Sequence, residues 1–202
     1  MFAIVEAAGW PIWFLILASV IAVGLIIERL IFLRSNRVSP SGLLDEVIKE
    51  HRQRGFNDDT LAKLAGSSPL GQIFATGLKN INSTPAIMKE SIEEAGRSVT
   101  RDLDRFLTSL GTIASISPLL GLFGTVVGMI EIFGSQTATG NSPAILAHGI
   151  SVALYNTAFG LIVAIPSMIF YRHFRSKVDS LTIEMEQQAI KLVEIVHGER
   201  KD

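Results

Sequence analysis

Two threonines, Thr125 and Thr157, stand in long stretches of this 202-residue chain that carry almost no charge. Thr125 lies in a run without charged side chains, residues 106–130. Thr157 lies in residues 132–171, where the only titratable side chains are His148 and two tyrosines. Hydroxyl groups in such surroundings can solvate or relay an ion without holding a fixed charge. They can equally bond to the carbonyl four residues earlier in their own helix, which is functionally silent. The residues alone leave both interpretations open.

Both threonines belong to stripes of small or hydroxylated residues at steps of three or four. The members are Gly111, Ser115, Pro118, Gly121, Thr125 and Gly128 in the first stripe, and Gly149, Ala153, Thr157, Gly160, Ala164 and Ser167 in the second. Such spacing places each stripe on one helix face, and small residues let helices approach closely in a membrane. We therefore predict helix-packing or hinge roles for Gly121, Gly124, Gly128, Gly149, Gly160, Pro118 and Pro166.

Acidic residues are missing from the interior of these stretches. Glu28 and Glu131 lie only near the ends of apolar segments, and His148 lies at the start of the last one. Proton-coupled membrane machines usually keep a carboxylate inside the membrane. If this chain handles protons, we therefore expect the titrating group to come from a partner.

Enzyme signatures are also missing from the sequence. It has no cysteine, no H-E-x-x-H or G-x-S-x-G motif and no phosphate-binding loop. We predict no enzymatic activity, no metal site, no cofactor and no nucleic-acid partner.

Three apolar segments have the length of a transmembrane helix, which needs about 20 residues. We predict an all-α integral membrane protein with three transmembrane helices, two of them extended far into the cytoplasm. The predicted segments are residues 1–10 at the periplasmic interface, 11–33 as the first span, 34–106 as a cytoplasmic helical loop, 107–133 as the second span, 134–145 as a periplasmic loop, 146–171 as the third span and 172–202 as a cytoplasmic helical tail.

The distribution of lysine and arginine predicts the orientation. All 18 lie at Arg29, between Arg34 and Arg105, or after residue 171. Positive residues favour the cytoplasmic side, so the amino terminus is expected in the periplasm and the carboxyl terminus in the cytoplasm. We expect the Arg29 side chain to reach water from the cytoplasmic end of its span.

Helical periodicity runs beyond the second and third spans. Thr84 followed by Pro85 is a helix-start signal, and apolar residues then recur at steps of three or four into the second span. We predict one helix from Pro85 to Phe133 and a continuous helical extension of the third span. Shorter helices are expected at Leu43 to Gln53 and Leu70 to Asn80, and the two long helices are expected to pack together.

The apolar segments resemble the MotA/TolQ/ExbB proton-channel family, in its ExbB and TolQ branch. The resemblance rests on residues 110–113, on G-L-F-G-T-V-V-G at residues 121–128, and on A-L-Y-N-T-A-F-G-L-I-V-A-I-P at residues 153–166. The plan of three spans agrees with that branch over the whole chain, whereas MotA-type stators have four spans.

The resemblance implies a subunit of an inner-membrane motor driven by the proton-motive force. It implies a homopentameric helical bundle with a central pore, a dimer of ExbD- or TolR-like single-span helices in that pore, a TonB- or TolA-like protein beyond it, and H⁺ as the translocated ion. Thr125 and Thr157 match pore threonines of the family. The predicted ion pathway is Thr125, Thr157, Ser115, Thr112, Ser151 and Asn156.

One position departs from the ExbB and TolQ pattern. Their third span carries a glutamate at the position of Val152, which makes an intrinsic channel role less expected here. A passive membrane scaffold, a MotA-like stator subunit and a stand-alone ion channel are the alternatives.

Overall fold

A computed structural model of the chain describes residues 8–53, 55–134 and 143–198. Every regular element in those ranges is helical: α1 (Ile12–Phe32), α2 (Ser35–Val38), α3 (Leu43–Gln53), α4 (Asp58–Ser67), α5 (Pro69–Lys79), α6 (Pro85–Leu103), α7 (Leu107–Gly134) and α8 (Pro143–Val196). Three helical stretches are long and apolar enough to span a membrane: Ile12–Phe32, Pro85–Gly134 and Gly149–Val196. The all-α class and the three long apolar helices are thereby confirmed. Most of the predicted loop 134–145 and of the amino-terminal segment 1–10 lies outside the described residues.

The chain divides into two compact units, which we describe separately. One contains residues 1–28 and 106–173, and the other contains residues 29–105 and 174–202. We call them the span unit and the basal unit.

In the basal unit, local hydrogen bonds cap the first turns of three helices. The Asn57 side chain accepts from the Thr60 amide while the Thr60 hydroxyl accepts from the Asn57 amide, so α4 starts with a capping box. Ser68 caps α5, and Thr84 caps α6 with Pro85 in the first turn. The start of α6 and the helix at Leu43–Gln53 agree with our predictions. The sequence reasoning missed α4 altogether, although the Asn57 cap was a usable signal.

Polar contacts join α6 to the last part of α8 in the basal unit. The Thr100 and Thr182 hydroxyls lie 3.4 Å apart, and Arg175 donates to an Asp104 carboxylate oxygen at 3.0 Å. Apolar stripes on the two helices are buried, including Met88, Val99 and Met185. Helix α8 runs unbroken to Val196, as predicted for the extension of the third span.

The predicted single helix from Pro85 to Phe133 is wrong, because the helix stops at Leu103 and restarts at Leu107. Between them, Phe106 has φ 66°, in the left-handed region that bulky residues rarely adopt. The Asp104 amide still donates to the Thr100 carbonyl at 2.9 Å, so the chain leaves α6 through a tight turn. Apolar spacing continues across this turn through Leu103 and Leu107, so the periodicity gave no sign of the break.

Arg29 lies at this break rather than in water. Its side chain is only 2% exposed, and its Nη1 donates to the Leu103 carbonyl at 3.0 Å. The guanidinium carbon also lies 4.8 Å from the centre of the Phe32 ring. The last carbonyls of a helix lack partners within the helix, so a buried cation here satisfies one of them and complements the helix dipole. The expectation that Arg29 reaches water is therefore corrected.

The span unit depends on an antiparallel contact between α7 and α8. A Cβ atom placed on Gly121 would come within 2.6 Å of the Asn156 carbonyl oxygen. One placed on Gly160 would come within 2.6 Å of the Ser117 carbonyl oxygen. Both neighbours are backbone atoms, which cannot move aside as a side-chain tip can. The two helices therefore touch backbone to backbone at a point where only glycine fits.

Replacing Gly160 with alanine is expected to separate α7 from α8 and to lower the free energy of unfolding by about 1–3 kcal/mol, the usual cost of overpacking. Thermal unfolding in detergent, followed by circular dichroism, measures this. Gly24→Ala in α1 is the matched control, because a Cβ there meets nothing within 4 Å. Equal stability of the two variants would contradict the close contact.

Replacing Arg29 with glutamine is expected to destabilise the protein by about 2 kcal/mol, because it removes a charged donor from a buried carbonyl. The same unfolding measurement applies. Arg37→Gln, at an exposed position in α2, should change stability by less than about 0.5 kcal/mol. If the two arginine variants unfold alike, Arg29 does not support the end of α6.

Candidate functional site

The two threonines meet between α7 and α8. Their Oγ1 atoms lie 2.6 Å apart although the residues are 32 positions apart in the chain. Thr125 Oγ1 also lies 3.2 Å from the Gly121 carbonyl oxygen in its own helix and 3.2 Å from the Ala153 carbonyl oxygen in α8. Both side chains are half-buried. The hydroxyl pair therefore bridges the two spans just beyond the Gly121 contact.

A hydroxyl group has one proton to donate and can accept two hydrogen bonds. Thr125 has three acceptors within reach, so its proton can go to either carbonyl or to Thr157. Thr157 can in turn donate to Thr125. The pair can reorient its protons without moving its heavy atoms. Such a pair can exchange hydrogen bonds with a polar group that approaches its exposed side.

Asn156 occupies a different environment from its neighbour Thr157. Its side chain is 1% exposed, and its Nδ2 donates to the Ala8 carbonyl at 2.8 Å. Its carboxamide packs against Gly124, where a Cβ would come within 2.7 Å of the Asn156 Cγ. The asparagine thus ties the segment before α1 to the α7–α8 pair from inside the unit. The pore-lining role that we predicted for Asn156 stays a prediction.

The other predicted pathway residues lie away from the hydroxyl pair. Thr112, Ser115 and Ser151 are exposed on the isolated chain. Thr112 donates to the Thr108 carbonyl at 2.8 Å and Ser115 to the Gly111 carbonyl at 2.7 Å, each within its own helix. They lie on α7 and α8 surfaces that a neighbouring chain or lipid could cover.

The five predicted packing glycines lie at the contact between α7 and α8, and the two predicted hinge prolines lie within these helices. A Cβ on Gly128 would meet Ala153 at 3.2 Å, and one on Gly149 would meet Ile132 at 2.7 Å. Pro118 and Pro166 lie inside α7 and α8, which continue through them. The kinks that we predicted at these prolines stay a prediction.

Two serines flank these prolines: Ser167, which belongs to the second predicted stripe, and Ser117, which was not predicted. Ser117 and Ser167 are buried, and each donates at 2.7 Å to a carbonyl four residues earlier, that of Ile113 and that of Val163. A serine beside an intrahelical proline was the available signal. Each of these carbonyls is the neighbour of the one that the proline leaves without an N–H donor, which is that of Ala114 for Pro118 and that of Ile162 for Pro166.

In the part of the chain that the structure describes, no acidic group bonds to the hydroxyl pair. Glu131 is exposed in the last turn of α7, and Glu28 is half-buried near the end of α1. Among the described residues, no group of three or more histidine or acidic side chains could hold a metal ion. The site consists of neutral hydroxyl and carbonyl oxygens, which can solvate an ion but cannot take up or release a proton near neutral pH.

Replacing Asn156 with aspartate is expected to destabilise the protein more than replacing it with alanine. Alanine leaves the buried Ala8 carbonyl without a donor, at a cost of about 1–3 kcal/mol. Ionised aspartate has only acceptor oxygens and would place them against that carbonyl. Unfolding curves of the two variants at pH 8 measure the order, and the reverse order would contradict the Asn156–Ala8 hydrogen bond.

Comparison with known proteins places this arrangement in context. Residues 65–187 match the MotA/TolQ/ExbB proton channel family. The ExbB-like 3 protein of Synechocystis sp. is 35% identical over 161 residues, which cover 78% of this chain and 77% of that protein. The Tol-Pal system protein TolQ of Pseudomonas aeruginosa is 31% identical over 184 residues, which cover 83% of this chain and 80% of that protein. TolQ of Haemophilus influenzae is 30% identical over 193 residues, or 83% of this chain and 78% of its own length. The chain, with a hydroxyl pair between two of its apolar spans, therefore belongs to the MotA/TolQ/ExbB proton channel family.

Proposed function

We propose that this chain is the multi-span subunit of an ion-driven motor of the ExbB/TolQ type in the bacterial inner membrane. Membership of a proton-channel family makes it a membrane subunit of energy transduction and not an enzyme. Several copies, five by the resemblance, surround single-span partner helices of the ExbD or TolR type. The motor converts inward H⁺ flux into force on a TonB- or TolA-like protein, with the amino terminus in the periplasm and the carboxyl terminus in the cytoplasm.

The observation that carries the proposal is the pair of hydroxyls without an acid. Thr125 and Thr157 form a half-buried contact at 2.6 Å, and the nearest carboxylates along these spans lie at helix ends. A proton path needs a group that titrates, and neutral hydroxyls do not. A carboxylate on a partner helix supplies that group, and the hydroxyl pair solvates it in each of its protonation states.

The energy of the ion is sufficient for such a step. A unit charge that crosses 100 mV releases about 2.3 kcal/mol, which is enough to bias a conformational equilibrium about 50-fold. When the partner carboxylate is charged, hydroxyl donors favour its position beside the pair. When it is protonated, that preference weakens and the helix can move to the next subunit.

Replacing Thr125 or Thr157 with valine is expected to abolish motor activity while leaving assembly intact. Interhelical hydrogen bonds in membrane proteins contribute about 0.6 kcal/mol on average, so folding should survive. The measurement is H⁺ uptake, driven by an imposed membrane potential, into vesicles that contain the complex purified through a tag on this chain. We expect a loss of tenfold or more, with the subunit ratio unchanged.

Thr125→Ser and Thr157→Ser are the matched controls, since each keeps the hydroxyl and removes only a methyl group. They should retain most of the uptake. Wild-type uptake in the valine variants would contradict the proposed role of the hydroxyl pair. Absence of any uptake driven by the potential in the unsubstituted complex would instead favour a passive scaffold, for which the glycine contacts suffice. Uptake by this chain purified without any partner would instead indicate a stand-alone channel.

A further inference from the structure

A second feature of the span unit is a cavity of about 390 Å³ between α7, α8 and the segment that precedes α1. Its wall includes Ala8 and Gly9 from that segment, Gly128 and Glu131 from α7, and Val152 and Asn156 from α8. The cavity is large enough for several water molecules, each of which occupies about 30 Å³ in the liquid. It borders the hydroxyl pair without including it, since its wall includes Ala153, whose carbonyl oxygen lies 3.2 Å from Thr125 Oγ1.

The polar atoms of this cavity accept hydrogen bonds or attract cations. Because Nδ2 of Asn156 donates to the Ala8 carbonyl, the orientation of the carboxamide is fixed and its Oδ1 remains an acceptor. That oxygen is buried, with no hydrogen-bond partner in the described part of the chain. Among the described residues of the wall, the other charged or amide group is the Glu131 carboxylate. The carboxylate attracts cations, and a donor that reached the Asn156 Oδ1 would relieve the cost of burying an acceptor without a partner.

We propose that this cavity is a hydrated inlet within each subunit that attracts small monovalent cations. Glu131 concentrates the cations at its rim, and Asn156 forms the floor that separates the water from Thr125 and Thr157. The carboxylate is exposed at the mouth of the cavity, whose other named walls are mostly apolar, so it is the fixed negative charge that an entering cation meets. The role of the inlet in ion supply rests on the proposed function, whereas its water content and charge preference do not.

The chain has no cysteine, so a single introduced thiol reports its own surroundings. Val152→Cys places a thiol on the cavity wall. Its rates of modification by a cationic and an anionic methanethiosulfonate reagent are measured in native membranes, each divided by that reagent's rate with a small free thiol. We expect modification by both reagents and a normalised preference for the cation of about tenfold.

Adding Glu131→Gln to Val152→Cys should bring the ratio of the normalised cationic rate to the normalised anionic rate close to one, while the thiol at position 152 stays reactive. Ile162→Cys is the control position, because Ile162 is 64% exposed on α8 and does not line the cavity. Its thiol should stay unreactive in the apolar membrane interior. An unreactive Val152→Cys, or a ratio that Glu131→Gln leaves unchanged, would overturn the proposal.

The floor is tested with a thiol at the hydroxyl pair. Thr157→Cys should react slowly in the presence of Asn156 and at least tenfold faster with Asn156→Ala, which opens the floor. Equal rates would show that Asn156 does not close the inlet. If Asn156→Ala does not fold, the Val152→Cys experiment decides the proposal alone.

The identity of the cation follows from competition at Val152→Cys. Replacing choline with Na⁺ in the medium, at constant ionic strength, should slow modification by the cationic reagent if the inlet binds Na⁺. A fall in pH that removes the cation preference, without an effect of Na⁺, would indicate protons. No effect of either would contradict cation binding.

The modification rates need neither a partner nor a membrane potential. The inlet can therefore be disproved while motor activity persists, and motor activity can be disproved while the inlet persists.

Discussion

The backbone contact between α7 and α8 at Gly121 and Gly160 is the constraint on which the span unit depends. Hydrophobic burial does not drive helices together in lipid, because the lipid is as apolar as the side chains, so close van der Waals contact and interhelical hydrogen bonds must do it. Two glycines supply the close contact. One turn further along, the same approach brings two threonine hydroxyls to 2.6 Å. With larger residues at the glycines, neither the packing nor the hydroxyl pair would survive.

Polar groups are few in the span unit, and most of them have a defined use. The Ser117 and Ser167 hydroxyls donate to carbonyls four residues earlier in their own helices, and the Asn156 amide holds the segment before α1. The hydroxyl pair and the Asn156 Oδ1 remain with spare hydrogen-bonding capacity. Unsatisfied polar capacity is expensive inside a membrane, so it marks the places where a partner group, an ion or water is expected.

The basal unit is built differently, from several short helices whose first turns are capped locally. Local caps at Asn57, Ser68 and Thr84 begin its helices. Its least ordinary element is the end of α6, where Arg29 is buried against the Leu103 carbonyl and Phe106 takes a left-handed conformation. A buried cation without such partners would cost several kcal/mol, so this contact fixes where α6 can stop.

The sequence by itself determined the class of the protein, the positions of its apolar helices and the presence of two small-residue stripes. Hydrophobicity and helical period are properties of neighbouring residues, so they can be read without knowing what each face will contact. Only the tertiary structure decided that Thr125 meets Thr157, that Asn156 turns inward while Ser115 stays exposed, and that Arg29 is buried. It also decided that α6 ends at Leu103, although the apolar spacing continues. Each of these outcomes depends on groups distant in the chain, and the free energy of a polar side chain is set by the partner that reaches it rather than by its neighbours in sequence.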